Sequence, residues 1–178
     1  MGLRHNRIDP MNSARQKIPG FEKQGRSMKV HLGRFPKTGE CKVSIRIDRW
    51  DTYDMDQTLA MLIVPMLKQL KESKQGAPNT DSADVPKRLR ATKRLTHDGL
   101  DKHHFARWDW ILDEMIWTFE AILEGDHQFF DHSAVDDSAD LMERVKQVKM
   151  DRRGLRKHEE RIQNGLRLFG RYYLSLWG

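Results

Sequence analysis

Arg107-Trp108-Asp109-Trp110-Ile111-Leu112-Asp113-Glu114-Met115-Ile116-Trp117-Thr118-Phe119-Glu120 holds three of the chain's five tryptophans within ten residues. Wound as a helix, this stretch is apolar almost all the way round, which predicts a central, buried element. At about 100° per residue, Asp109, Asp113 and Glu120 fall within about 40° of one another, while Glu114 points elsewhere. Carboxylates on a nearly buried helix must be paired, hydrogen-bonded, metal-bound or at the rim of a cleft. The fold is therefore expected to form around a helix over residues 104–124, with any chemistry on its acidic stripe.

Toward the N-terminus, a second helix is expected over residues 55–73. Asp54, with Asp56 and Gln57 after it, makes a capping-box-like start, and early acids suit the helix dipole. Leu59, Leu62, Ile63, Met66, Leu67 and Leu70 form one apolar face. Pro65 lies inside the helix and should kink it, because it removes a backbone donor. Lys68, Lys71 and Lys74 gather at the C-terminal end, as the dipole favours. Before this helix, Met28–Phe35 roughly alternates apolar and polar residues, Pro36–Glu40 signals a turn, and Cys41–Asp48 alternates strictly. Two alternating runs about a short glycine-containing loop predict a β-hairpin. Val43, Ile45 and Ile47 then face one side and Lys42, Ser44 and Arg46 the other.

Residues 1–27 show no sustained period and read as a basic, irregular extension. Residues 75–106 read as a loop that turns basic, with a short helix after Pro86. Gly125 to Asp140 is acidic and reads as an exposed connector. A last helix is expected from Leu141 or Leu155 to Leu176, with Gly165 and Gly170 marking close approach to a neighbour or a break.

The composition narrows the classes. At 178 residues, 38% apolar and 33% charged, the chain suits one domain, 28–178, behind the extension 1–27. No apolar run approaches a membrane span, and the basic N-terminus lacks the apolar core of a secretory signal. The single cysteine, Cys41, forms no internal disulfide and fits a reducing compartment. The net charge of +6 is uneven. Residues 1–50 carry 12 Lys and Arg against 4 Asp and Glu; the remainder carries 20 against 22. A basic front on a neutral body suggests a face for an acidic partner, nucleic acid above all, with a solvated tail as the plainer reading.

Three constellations bear on chemistry. Asp109, Asp113 and Glu120 could bind Mg²⁺ or Mn²⁺ through hard oxygen ligands, completed by Asp51, Asp54 or Asp56. That is the arrangement of a divalent-metal nucleotide phosphohydrolase, although the tight Glu-Glu-x-x-Glu spacing is missing. The plainer reading pairs the stripe with Lys and Arg, including Arg161, Arg167 and Arg171 of the last helix. The histidines lack zinc spacing, and His103 and His104 read as surface groups. P-loop, dinucleotide, nucleophile-elbow and cysteine-nucleophile patterns are absent, so no catalytic motif is evident. Arg34, Lys37, Lys42, Arg46 and Arg49, with Phe35 and Trp50, could offer phosphates a basic, partly aromatic hairpin face. An ordinary solvated sheet face would have the same composition.

Several blocks also form a set: Met28-Lys29-Val30; Val43 to Thr52 followed by Met55 to Ala60; Pro65 to Lys71; Gly76-Ala77-Pro78; Asp84-Val85-Pro86; Arg107 to Trp117; and Glu160 to Tyr173. In this order they resemble a family of small tailed-bacteriophage proteins with no assigned activity. The resemblance spans residues 28–177. It implies a phage origin, with a start near Met28 and a variable acidic region at 124–154, and carries over no catalytic residues.

These readings predict an α+β fold, an N-terminal β-hairpin packed on a bundle of three to four helices. The expected core includes Val43, Ile45, Leu59, Ile63, Leu67, Ile111, Leu112, Met115, Phe119, Ile162, Leu166, Phe169 and Tyr173. The expected function is that of a phage accessory protein binding nucleic acid or a host or virion protein, in the host cytoplasm or virion, with no membrane partner and no cofactor. The alternatives are the Mg²⁺- or Mn²⁺-dependent phosphohydrolase and a structural component of the particle.

Overall fold

The computed structural model describes residues 29–32, 43–97, 99–133, 138 and 140–177. The chain divides after Arg49 into two units. Four helices and two small two-stranded sheets make up its regular structure among the described residues.

In the first unit, β1 (Lys29–Leu32) pairs antiparallel with β2 (Val43–Arg46), setting Lys29 opposite Arg46 and Val30 opposite Ile45. Strand alternation therefore places Val30 and Ile45 on one side and Lys29 and Arg46 on the other. Ile45 is 55% exposed, and Val43's side chain lies outside the described ones.

The second unit is helical. Helix α1 (Met55–Ser73) follows a 3-10 turn at Arg49–Thr52 and runs on through Pro65. Asp54 is its N-cap residue, yet its side chain makes no capping bond. Helix α2 (His104–Glu124) buries ten of its residues, as the apolar circumference demands. Gly125 ends it at φ 73°, a left-handed backbone that glycine adopts without a steric penalty. Strand β3 (Phe130–Asp131) pairs with β4 (Lys149–Met150), and the short helix α3 (Leu141–Gln147) lies between them in sequence. Asp151 then caps α4 (Arg152–Tyr172) through the Gly154 amide. The last helical region is thus two helices: α3 is capped by Asp140, and the β4 pairing separates it from α4.

Helix α2 is central. Trp108, Ile111, Leu112 and Met115 are fully buried, with Ala60, Val64 and Leu67 of α1 and Leu168 and Tyr172 of α4 in the same cluster. Ile63, Leu166 and Phe169 pack against it while half-buried. Leu59 and Tyr173, expected inside, are 44% and 60% exposed. Taking Leu59 as 0°, the expected α1 face centres near 10°, whereas Ala60, Val64 and Leu67 lie at about 80–140°. The helix is therefore rolled, and Met55, Leu59 and Met66 remain outside. Gly165 allows α4 to cross α2 closely, and nothing crowds Gly170.

Candidate functional site

The acidic stripe of α2 faces the lysines of α1. Lys74 Nζ lies 2.7 Å from Asp109, Lys68 Nζ lies 2.7 Å from Glu120, and Lys71 pairs with Asp113. Lysine numbers rise as acid numbers fall, which is an antiparallel ladder along two neighbouring helices. The structure thus gathers the three candidate carboxylates on one seam but gives each its own ammonium group. Lys68, Lys71, Glu72, Asp113, Ile116 and Glu120 line a shallow depression there. Asp54 and Asp56 are exposed at the start of α1. No group of three or more His, Cys, Asp or Glu among the described residues is arranged to hold a metal ion.

The stripe is paired with basic side chains as expected, but all three are lysines of α1; the arginines of α4 named as partners do not serve it. Arg161 donates Nε to one Glu114 oxygen at 3.0 Å and Nη2 to the other at 2.8 Å. Its guanidinium also lies 3.6 Å from the centre of the Trp117 ring. Arg167 and Arg171 turn instead to the segment between α1 and α2. Arg167 reaches Asp84 at 2.8 Å, and Arg171 reaches both Asp84 and Asp81 at 2.9 Å. Tyr172 completes this cluster, donating its hydroxyl to Asp84 at 2.7 Å and accepting the Asp81 amide at 3.0 Å. The Tyr172 ring packs edge-on against Trp108 at 5.9 Å.

The cluster's electrostatics follow from these contacts. Burial, then the bond to Asp84, pushes the Tyr172 hydroxyl above its ordinary pKa. The Ala83 amide, then the Arg171 guanidinium, holds Asp81 below the usual carboxylate value. Asp84 is 7% exposed, and its two oxygens receive Arg167, Arg171 and Tyr172. A carboxylate held by two guanidinium groups and a phenol acts as an anchor for the turn at Ser82–Asp84.

A second buried pair anchors the other end of that segment. Arg107 donates to both Asp101 oxygens, at 2.9 and 2.6 Å, to Thr80 at 3.1 Å and to the Leu89 carbonyl at 3.4 Å. The hydrogen-bonded Arg107 guanidinium holds the Asp101 carboxyl well below the usual carboxylate range, against the upward push of burial. His104 is buried rather than on the surface, with Nε2 at 3.1 Å from the Ala77 carbonyl. A carbonyl only accepts, so Nε2 carries the proton. Asp101 and Arg107 are only six residues apart, but nothing in their spacing marked them as a pair. The irregular residues between α1 and α2 carry few periodic cues, and Asp84 and Asp101 read as ordinary loop acids.

Of the hairpin cations, Arg34, Lys37 and Lys42 lie outside the described residues. Arg46 is exposed on β2, and Arg49 is exposed at the start of the 3-10 turn. The strand register adds an exposed cation that the sequence reading missed, Lys29, directly across from Arg46. Counting registers across the expected turn would have found it. Trp50 and Tyr53 are 53% and 77% exposed, with ring centres 6.1 Å apart.

No helix among the described residues is long and apolar enough to cross a membrane. No family model, curated protein or solved structure matches the chain.

Proposed function

We propose that this chain is a bacteriophage accessory protein that binds nucleic acid through its basic front. The observation that carries the reading is the cross-strand pair of Lys29 and Arg46. Two like charges directly opposite on a sheet destabilise it. A phosphate lying between them would turn that repulsion into two charge-assisted contacts. The +8 balance of residues 1–50 supplies the wider field, and exposed Arg49 extends it along the chain. Arg34, Lys37 and Lys42 belong to the same proposed surface.

The test is fluorescence anisotropy with labelled mixed-sequence oligonucleotides over a range of salt. The expected result is binding that weakens steeply with salt, and weakens again when Lys42, Arg46 and Arg49 are neutralised. Wild-type affinity in that triple variant would remove the hairpin from the interface. A host or virion protein remains the alternative partner, and a role in the particle itself the alternative setting. The metal-dependent phosphohydrolase is supported less well, because Mg²⁺ or Mn²⁺ at Asp109, Asp113 and Glu120 would have to displace Lys74, Lys71 and Lys68. Nucleotide turnover that vanishes in Asp113→Asn would restore that alternative.

A further inference from the structure

Helix α4 is basic along its length, but its cations fall into two groups. Arg161, Arg167 and Arg171, from the middle of the helix to its C-terminal end, are held by Glu114, Asp84 and Asp81 from other parts of the unit. They are part of the packing. Arg152, Arg153 and Lys157, in the first two turns, are exposed and make no ion pair among the described residues. Arg156 beside them has only Glu160 at 3.9 Å, one turn on and itself 69% exposed.

The position of the second group is unfavourable for the protein alone. A helix N-terminus carries the positive end of the dipole, so cations in the first turns lose stability there. The Asp151 carboxylate satisfies one amide of this turn, that of Gly154, and favours the helix start by its own negative charge. At 100° per residue, Arg152, Arg156, Arg153 and Lys157 fill an arc of about 140°. On the same wheel, counted from Arg152, the buried residues Gly165, Leu168 and Tyr172 lie at about 160–220°, next to Lys157 and away from Arg152 and Arg156. All four cations are exposed, with Glu160 at about 80° inside their arc and Glu159 at its edge, so this is an exposed basic face interrupted by acids.

We propose that this patch is a second contact surface for nucleic acid, gripping the phosphate backbone without reading bases. The inference rests on the nucleic-acid reading but uses none of the hairpin residues. Charge complementarity selects a polyanion. A membrane fits poorly: a helix lying in a lipid interface needs a vacant apolar face, whereas that of α4 is packed in the core through Leu168 and Tyr172. Base stacking also fits poorly. Trp117, the nearest tryptophan on α2, already lies under Arg161 and against His158. What remains is sequence-independent phosphate contact.

The test is anisotropy of the full-length chain with a labelled mixed-sequence DNA duplex across a salt series. Three variants are compared with wild type: R152Q/R153Q/K157Q, the charge-preserving R152K/R153K/K157R, and K29Q/R46Q. Each lost phosphate contact removes about 0.9 from the slope of log affinity against log salt. The neutralised α4 variant should therefore bind at least about tenfold more weakly at low salt, with a slope shallower by about 2 to 3. The charge-preserving variant should behave as wild type, and thermal melting should report folding in each case. Duplex binding with wild-type affinity and slope in R152Q/R153Q/K157Q would overturn the α4 surface while leaving the hairpin reading intact. No duplex binding by wild type at any salt would overturn both. Binding to anionic phosphatidylserine vesicles but not to duplex would overturn the choice of partner.

Discussion

Gly165 of α4 passes Thr118 of α2 so closely that a β-carbon on the glycine would lie 1.8 Å from the threonine hydroxyl oxygen. The Glu114 carbonyl would be 3.1 Å away on the same side. The two central helices therefore cross where one of them has no side chain. The Thr118 hydroxyl is buried there without a hydrogen-bond partner among the described residues, so this contact favours close packing over polar satisfaction.

Gly165→Ala should destabilise the protein by about 2–3 kcal/mol, because α4 must move away from α2. Thr118→Ala removes the nearest clashing atom and should relieve part of this loss. Its remaining β-carbon still crowds the site, at 2.7 Å from the new methyl group. A double-mutant cycle in urea should give a favourable coupling of about 1 kcal/mol or more. Strictly additive effects would mean that the helices separate somewhere else.

Asp101 and Arg107 form a buried pair, 7% and 5% exposed. Asp101→Ala should cost about 3 kcal/mol, since it leaves a guanidinium buried without its charge partner. The carboxyl is held below its unfolded value of 3.8, so its contribution is present above that pH and is lost as pH falls toward the lower folded value. Melting temperature should drop more steeply below about pH 4 in wild type than in Asp101→Asn. Parallel acid profiles would assign the acid sensitivity to other groups.

Tyr172 joins Trp108 to the Asp84 cluster. Tyr172→Phe keeps the ring packing but loses the bonds to Asp84 and the Asp81 amide, and should cost about 1–3 kcal/mol. Trp108→Ala, at a fully buried site, should cost about 3–5 kcal/mol. The hydroxyl's raised pKa gives a second readout. Its stabilising effect is complete below the unfolded value of 10.0 and is lost as pH rises through the higher folded value. Alkaline melting should therefore be shallower in Tyr172→Phe.

The lysine ladder should contribute little to stability. Asp113 is 55% exposed and Lys71 34% exposed, and ion pairs of that kind are worth about 0–1 kcal/mol. Asp113→Asn should shift the urea midpoint only slightly, and less still in high salt. A large loss would mark the seam as a structural requirement.

Much of the helical frame was legible in the sequence, for a physical reason. The bounds of α1 and α2 follow from apolar periodicity and from Gly125 after α2, which are local signals, whereas Asp54 stands at the start of α1 without making the capping bond expected of it. The roll of α1 was not legible. That helix has apolar residues on two adjoining faces, and only its neighbour decides which is buried. Small Ala60 and Val64 pack against α2, while larger Leu59 and Met66 are left outside. A hydrophobicity count favours the larger residues, whereas close packing against a tryptophan-rich helix favours the smaller ones. The acidic stripe and its ion pairing with basic side chains were legible, but the arginines named as partners were not the ones, and the lysines of α1 were not singled out. Lys68, Lys71 and Lys74 also match the helix dipole, so a local explanation concealed a long-range one. The clusters at Asp84 and Asp101 depend on tertiary contacts of irregular chain, which leave no period to read.

The roll of α1 also makes the methionines a graded chemical record of the native state. Met55, Met61 and Met66 are 54%, 50% and 66% exposed, and Met142 is 69% exposed, whereas Met115 is fully shielded. Mild peroxide should convert the outer thioethers to sulfoxides while sparing Met115. Mass spectrometry would then distinguish surface wear from unfolding: sulfoxide at Met66 dates exposure to oxidant, and sulfoxide at Met115 dates the opening of the core.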